Sequence, residues 1–242
     1  MSESARNSIE FKVWGRYALF TDPLTKVGGE RCSYHVPTYE ALKGVVKSIY
    51  WKPTLIWVID DVRVMRRIRT QTKGTKPMEL SGGNSLAIYT FLANVEYQVR
   101  AHFEWNERRP ELNADRIEGK HFAVARRMLE RGGRQDIFLG TRDCQGYVEA
   151  CPFGSGRGEL DADGQLALGL MFHGFDYPDE HGGNDLHARF WRPTMIDGVI
   201  RFPRPEGCTS RKYIRAMTVK RFGVGENLLD VDEQALALGV TP

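Results

Sequence analysis

No run of about 18 apolar residues occurs anywhere in the 242-residue chain, so no membrane-spanning helix is expected. The opening MSESARNSIEFKVW lacks the basic-then-apolar pattern of a secretory leader, and a cytoplasmic location is expected. Cysteine is scarce: Cys32, Cys144, Cys151 and Cys208 are scattered, with no C-x-x-C pair. That excludes a zinc ribbon and a dithiol redox motif and fits reduced thiols. The P-loop, the dinucleotide glycine pattern, H-E-x-x-H and G-x-S-x-G are also absent. Nucleotide-driven, zincin and serine-hydrolase chemistries are therefore set aside, and neither a cofactor nor a metal is expected. His173, Asp176, His181, Asp185 and His187 form a loose group around His181-Gly182-Gly183, but their irregular spacing argues against a metal centre.

Acidic residues are missing where basic ones are dense. Up to Arg134 the chain has 23 Lys+Arg against 15 Asp+Glu, and from Gln135 onward 11 against 16. A basic N-terminal part suits a polyanionic partner through field and counterion release; solvated charge on helix surfaces is the plainer alternative. The segment from Arg63 to Lys76 carries six basic residues and no acid. It reads either as an extended edge that tracks phosphates or as a strand edge protected from aggregation by charge.

The segment from Ser33 to Pro53 has the clearest local order. Thr38 is placed to cap a helix, Leu42, Val45, Val46, Ile49 and Tyr50 form one apolar stripe, and Pro53 ends it. Lys43 and Lys47 lie off that stripe. Tyr50, at the helix end beside Trp51 and Lys52, buries its ring while its hydroxyl emerges, and taken alone it also reads as a core tyrosine. Alternation predicts strands over residues 9–20, 54–64 and 94–105, with Phe11, Val13 and Trp14 packing in the first. Residues 21–32 read as a loop. Asn113 is a predicted N-cap for a second helix over residues 114–131, with Ile117, His121, Val124, Ala125 and Met128 on one face, ended by Gly132-Gly133.

A strand region over residues 137–151 then completes the order strand, helix, strand, strand, helix, strand. This is the ferredoxin-like βαββαβ order, also used by RNA-recognition domains, although the aromatic RNA-stacking signature of a standard RNA-recognition motif is absent. After Pro152-Phe153 comes a Gly-rich flexible connection or hairpin tip, then β-rich stretches over residues 165–177, 187–193, 195–202 and 213–222, with a hairpin turn at Asp197-Gly198. The acidic, Leu/Ala-rich tail from Gly225 reads as a short docking helix or a frayed end. The expected fold class is α+β, with a ferredoxin-like domain over 1–152, a small antiparallel β-sheet domain over 153–222 and a tail over 223–242.

Lys120-His121 is the strongest chemical pair. Histidine exchanges a proton near neutral pH, and lysine holds a positive charge for a phosphate whose charge grows in the transition state. A tyrosine hydroxyl can orient or share a proton with the attacking group. These are the parts needed for metal-free RNA cleavage by a 2′-hydroxyl. In isolation His121 is a core histidine on an apolar stripe and Lys120 a solvated charge.

The stretches FKVWGRYALF, YHVPTYEALKGVVKSIYWKP, WVIDDVRVMRRIR, GKHFAVARRMLERGG and FLGTRDC together resemble the CRISPR-associated Cas-five-d family, over nearly the whole chain to about Phe222. The most specific elements are the P-T-x-x-A-x-x-G-x-x-x-x-I-Y-W-K-P run and the K-H…R-R-x-L…L-G-x-R series. The basic run Arg66-Arg67-Ile68-Arg69 departs from the proline-containing form expected of the family. The resemblance implies a ferredoxin-like domain plus a C-terminal antiparallel sheet. It also implies the activity of the type I-C Cascade endoribonuclease subunit: metal-independent cutting of the precursor CRISPR repeat stem-loop and retention of the 5′ handle. Tyr50, Lys120 and His121 fall on the family's cleavage residues. The implied partners are CRISPR repeat RNA and the backbone and large subunits of Cascade, with duplex DNA a further candidate. Lys43, Lys47, Arg66, Arg67, Arg69, Lys73, Arg126 and Arg127 are the expected RNA contacts. The rival readings are a non-catalytic scaffold that caps the RNA and a metal-dependent nuclease built on His173 to His187.

Overall fold

The computed structural model describes residues 7–27, 29–78, 81–83 and 85–219. Strand β1 (Ser8–Ala18) alternates buried and part-exposed residues, with Phe11 and Val13 fully inside and Trp14 half-buried on the other face. The predicted loop after it contains a short helix, α1 (Pro23–Val27), started by Asp22, whose carboxylate accepts from the Leu24 amide, and a two-residue strand, β2 (Arg31–Cys32).

Helix α2 (Tyr39–Ile49) begins as its sequence dictates: the Thr38 hydroxyl accepts from the Ala41 amide at 3.2 Å. Its stripe of Leu42, Val45, Val46 and Ile49 is buried, each side chain worth about 1.5–3 kcal/mol by removal from water. β3 (Leu55–Val64) follows, then β4 (Thr70–Thr75) and the 19-residue β5 (Ala87–Trp105), which pairs with β1, β2, β3 and β4.

The second helix starts later than its sequence suggests. Residues Pro110–Asp115, including the predicted cap Asn113, form a 3-10 turn, and α3 spans Glu118–Glu130 after Ile117, which makes no side-chain cap bond. Its buried residues are His121, Ala125 and Leu129, while Ile117 is exposed. Gly132 and Gly133 end it with φ of 82° and 108°, and their amides return to Leu129 and Met128 carbonyls.

β6 (Ile137–Phe138) and β7 (Gln145–Ala150) complete the N-terminal part. Between them Gly140 has φ 97°, and a Cβ there would lie 2.0 Å from the Leu19 carbonyl oxygen, so only glycine fits this crossing. The C-terminal part holds β8 (Gln165–Ala167), β9 (Met171–Asp176), α4 (Pro178–His181), β10 (Asp185–Trp191), β11 (Thr194–Ile196), β12 (Val199–Arg201) and β13 (Ser210–Ala216). Asp197 and Gly198, both at positive φ, make the predicted two-residue turn between β11 and β12.

The larger sheet runs β6-β7-β1-β5-β3-β12-β11-β8, and β9, β10 and β13 form a separate three-stranded antiparallel sheet. The larger sheet therefore continues through residue 152, because β12 pairs with β3 from Val199↔Arg63 to Arg201↔Asp61. α2 and α3 both pack on the face that carries Phe11, Val13, Val99 and Ala101. The acidic tail from Gly225, and the end of the predicted last strand at Phe222, lie outside the described residues.

The loop of residues 154–164 is organised around a buried charge. Arg63, expected in the basic edge, is 6% exposed. It makes a two-point ion pair with Asp161 (3.0 and 2.6 Å) and donates to Gln98 and to the Ser155 and Gly156 carbonyls. The loop is thus a cap on one guanidinium rather than a loose connection, and Arg63 is unavailable to phosphates.

Lys43 also departs from expectation. It is 1% exposed and paired with Glu180, which also accepts from Lys47 at 3.0 Å. An 11-residue helix lying between a sheet and α4 buries more than one face, so a residue off the apolar stripe is still covered. Burial works to raise the Glu180 pKa, but Lys43 and Lys47 outweigh it and hold it at about 2. A depressed carboxylate contributes stability above its unfolded value of about 4.3, and that contribution disappears as pH falls towards 2. Glu180→Gln is expected to cost roughly 3 kcal/mol at pH 7 and much less near pH 2. Urea unfolding at both pH values checks this, and an equal cost at both contradicts it.

Candidate active site

Tyr50 is the residue on which α2 ends. Its backbone leaves the helix as an extended C-cap (φ −156°, ψ 131°), its amide still bonded to the Val46 carbonyl at 2.9 Å. Its own carbonyl accepts from the Trp57 indole at 2.8 Å. Both ends of the residue are thereby fixed, and the ring projects towards the first turn of α3. There the Tyr50 hydroxyl lies 2.8 Å from His121 Nδ1.

His121 is fully buried, with Phe103 and Trp105 edge-on at 6.3 and 5.6 Å between ring centroids. Its Nε2 is 2.6 Å from the Asp115 backbone carbonyl. A carbonyl can only accept, so Nε2 carries the proton and, in the neutral ring, Nδ1 is the acceptor of the Tyr50 hydroxyl. Burial, followed by the Asp115 charge, raises the Tyr50 pKa above its ordinary value, so the hydroxyl keeps its proton at neutral pH and serves as that donor.

Asp115 joins the parts. One carboxylate oxygen accepts from Lys120 Nζ at 2.5 Å and the other from the Thr54 hydroxyl at 2.8 Å. The Lys120 hydrogen bond, then that of Thr54, holds the Asp115 pKa below the usual carboxylate range. The late start of α3 makes this possible: were residue 115 within the helix, its carbonyl would face the amide four residues on instead of the imidazole. Tyr50, Lys120 and His121, picked out in the sequence, therefore meet through a fourth residue, Asp115, which is not among the candidates read from the sequence. The group brings together an imidazole, a hydroxyl donor, an ammonium group and a carboxylate. Lys120, with its side chain 49% exposed, is its outward member, while Tyr50 is 4% exposed.

The basic candidates divide by their partners. Lys43 and Lys47 are occupied by Glu180. Arg66 is paired with Glu96 at 2.9 Å and Arg67 with Asp163 at 3.1 Å. Arg69 and Arg127 are exposed, and Arg126 is exposed with Glu130 at 3.7 Å. Lys73 is half-buried over the Tyr17 ring. The histidine and aspartate group of the C-terminal part is built around an arginine. Arg189, fully buried, pairs with Asp176, donates to the Phe175 carbonyl at 2.8 Å and reaches His173 Nδ1 at 3.4 Å and His181 Nε2 at 3.3 Å. Burial, then the Arg189 charge, lowers the His173 pKa to about 3.

Among the described residues the chain is a mixed α/β fold with one large, mainly antiparallel sheet and few helices. The family model described as CRISPR-associated protein (Cas_Cas5) matches residues 8–203. The chain belongs to this family. It is 31% identical over 228 residues to a protein of Mannheimia succiniciproducens named CRISPR pre-crRNA endoribonuclease Cas5d, covering 81% of this chain and 95% of that one. A protein of the same name from Thermus thermophilus is 30% identical over 196 residues, covering 76% and 80%. Among solved structures, one described as a CRISPR-associated protein superposes with a TM-score of 0.71 at 34% identity, covering 85% of this chain and 96% of that one. A functionally uncharacterized protein, SMU1763c from Streptococcus mutans, superposes with 0.72 at 36% identity over the same shares.

Proposed function

We propose that this chain is a CRISPR pre-crRNA endoribonuclease that cuts the repeat stem-loop without a metal ion and keeps the 5′ handle as a subunit of a type I-C Cascade. The observation that carries the reading is the hydrogen bond from the Tyr50 hydroxyl to His121 Nδ1, set beside the Lys120–Asp115 pair. The substrate's 2′-hydroxyl gives its proton to the Tyr50 oxygen as the Tyr50 proton passes to His121 Nδ1, and the 2′-oxygen attacks the adjacent phosphorus. The bond between phosphorus and the 5′-oxygen of the next nucleotide breaks, and that oxygen takes a proton from solvent to leave as a 5′-hydroxyl, while the 2′,3′-cyclic phosphate stays on the upstream fragment. The imidazolium is stabilised by the Asp115 carbonyl and nearby carboxylate, and Lys120 supports the charge that builds on the phosphate. The names carried by the two curated relatives support RNA as the substrate.

For the architecture, we read β1, α2, β3, β5, α3 and β7 as a ferredoxin-like domain within residues 1–152, with a C-terminal antiparallel part as its companion, in which β9, β10 and β13 form a sheet of their own while β8, β11 and β12 extend the larger one. The strand order β7-β1-β5-β3 and the two helices on one face support this.

The test is incubation of the purified chain with repeat RNA in EDTA. One cut at the base of the 3′ side of the stem, leaving a 5′-hydroxyl and a 2′,3′-cyclic phosphate, is expected. Tight binding with no cut would favour the scaffold alternative, and a 5′-phosphate product would require an activated water instead.

RNA affinity should also fall with salt, each neutralised phosphate contact contributing a log–log slope of about 0.7–0.9. Because Arg66 and Arg67 already face carboxylates, Arg69→Gln should reduce the slope by nearly a full contact, and Arg66→Gln or Arg67→Gln by less. Equal slopes in the Arg69→Gln and unmodified chains would leave this edge a solvated one.

A further inference from the structure

Thr54, in the turn between α2 and β3, takes no part in the proton transfers described above, yet it is tied to the group that makes them. It is 1% exposed. Its hydroxyl donates to one carboxylate oxygen of Asp115 at 2.8 Å, across 61 residues of chain. A hydroxyl that meets a carboxylate makes a charge-assisted bond, about twice as strong as a neutral one.

The threonine backbone is held as well. Its carbonyl accepts from the amide of Asn106, a buried residue, at 2.8 Å, and the Asn106 carbonyl accepts from the Arg116 guanidinium at 2.9 Å. Two connections thus run from the residue before β3 to the turn before α3. One joins the Thr54 side chain to Asp115, and the other joins its backbone through Asn106 to Arg116. The branched Cβ of threonine leaves few χ1 settings, so a fixed backbone gives the hydroxyl oxygen a fixed place.

Burial falls along the line from Thr54 to Asp115 to Lys120. The threonine is inside, the Asp115 side chain is 29% exposed and that of Lys120 is half exposed. The outermost member has the most freedom, because a lysine ammonium rides on a flexible four-carbon stem. An ion pair near the surface loses most of its attraction to the entropy of ordering two side chains. Asp115 can therefore keep Lys120 in one place only if its own carboxylate is kept in place. Thr54 occupies one oxygen and leaves the other for Lys120 Nζ at 2.5 Å. The oxygen held by Thr54 also lies 3.5 Å from His121 Nε2.

We propose that Thr54 is a positioning residue for RNA cleavage. Its hydroxyl fixes the Asp115 carboxylate, and through it the Lys120 ammonium, where charge builds on the scissile phosphate. The proposal rests on the cleavage reading given above and adds to it a residue that stands behind the proton path. Charge set in place beforehand acts at the transition state with no reorganisation at that moment, and a misplacement of about 1 Å can lower a rate by about 10²-fold.

The test is single-turnover cleavage of repeat RNA by the full chain, with RNA affinity and thermal unfolding measured on the same preparations. Thr54→Val keeps the shape and loses the hydroxyl. Its rate should fall by about 10-fold to 10²-fold, with affinity close to that of the unmodified chain. Thr54→Ser keeps the hydroxyl and loses the methyl, and it should restore most of the rate, which a packing role would not allow. In the Lys120→Ala background Thr54→Val should have little further effect, because no ammonium is left to place; a structural role gives the same factor in both backgrounds. Thr54→Ala against Thr54→Ser, which differ by that one oxygen, carries the same comparison if valine does not fold. An unmodified chain that does not cut overturns the cleavage reading and this proposal together. Full-rate cleavage by folded Thr54→Val, equal slowing by valine and serine, or an undiminished effect without Lys120 overturns the proposal alone and leaves Thr54 a structural tie.

Discussion

A repeat RNA carrying one 2′-deoxy nucleotide immediately upstream of the cut is expected to bind this protein normally and to resist cleavage by a factor of about 10³ or more, over 4 kcal/mol of barrier. In the proposed mechanism Tyr50, His121, Lys120 and Asp115 supply a hydroxyl, a proton acceptor, a cation and a carboxylate, and the nucleophile comes from the substrate itself. Removing one oxygen from the RNA removes the attacking atom and leaves every phosphate in place. Binding, which depends on phosphates and stacking, is spared. Substitution at any other ribose should have little effect on rate. Measured by single-turnover cleavage and by filter binding in parallel, equal rates for the deoxy and all-ribose RNAs would remove the 2′-hydroxyl from the mechanism.

The second large effect is expected at His121. Its replacement by alanine should lower the cleavage rate by about 10²–10⁴, the usual contribution of one general acid–base group, or roughly 3–5 kcal/mol. The imidazole is fully buried between Tyr50, Phe103 and Trp105, so alanine also leaves a cavity and takes away the acceptor of the Tyr50 hydroxyl. Glutamine separates the two effects: its amide can still donate to the Asp115 carbonyl but cannot take a proton at neutral pH. His121→Gln should fold, bind RNA and remain slow. Lys120→Ala should lose a similar factor through lost charge stabilisation without a cavity, because its side chain is half exposed. Full activity in folded His121→Gln would make the residue the core histidine its apolar stripe also permits.

The parts of this site that rest on local pattern were legible in the sequence. The Thr38 cap, the apolar stripe and Pro53 fixed where α2 ends, and so where Tyr50 emerges. The strand and helix order put both helices on one face of a sheet, which is why the end of one meets the start of the other. What escaped depends on contacts distant in the chain. Glu180 lies 137 residues from Lys43 and Asp161 lies 98 from Arg63, and nothing in a helical stripe or a basic run announces such a partner. Asp115 was hidden for a different reason. Capping rules favour a helix start at Asn113, yet the chain makes a 3-10 turn there, and the Asp115 carbonyl then accepts from both the Ile117 amide and His121.

The most direct test of the account is the single-turnover rate of Tyr50→Phe on repeat RNA in EDTA, with binding and thermal unfolding followed on the same preparation. The substitution removes one oxygen, the atom 2.8 Å from His121 Nδ1, and keeps the buried ring. An intact fold, repeat affinity close to that of the unmodified chain, and a rate lower by about 10²-fold are expected. An unchanged rate would contradict the proposed mechanism, because a proton could then reach or leave the RNA without the hydroxyl on which the site is built.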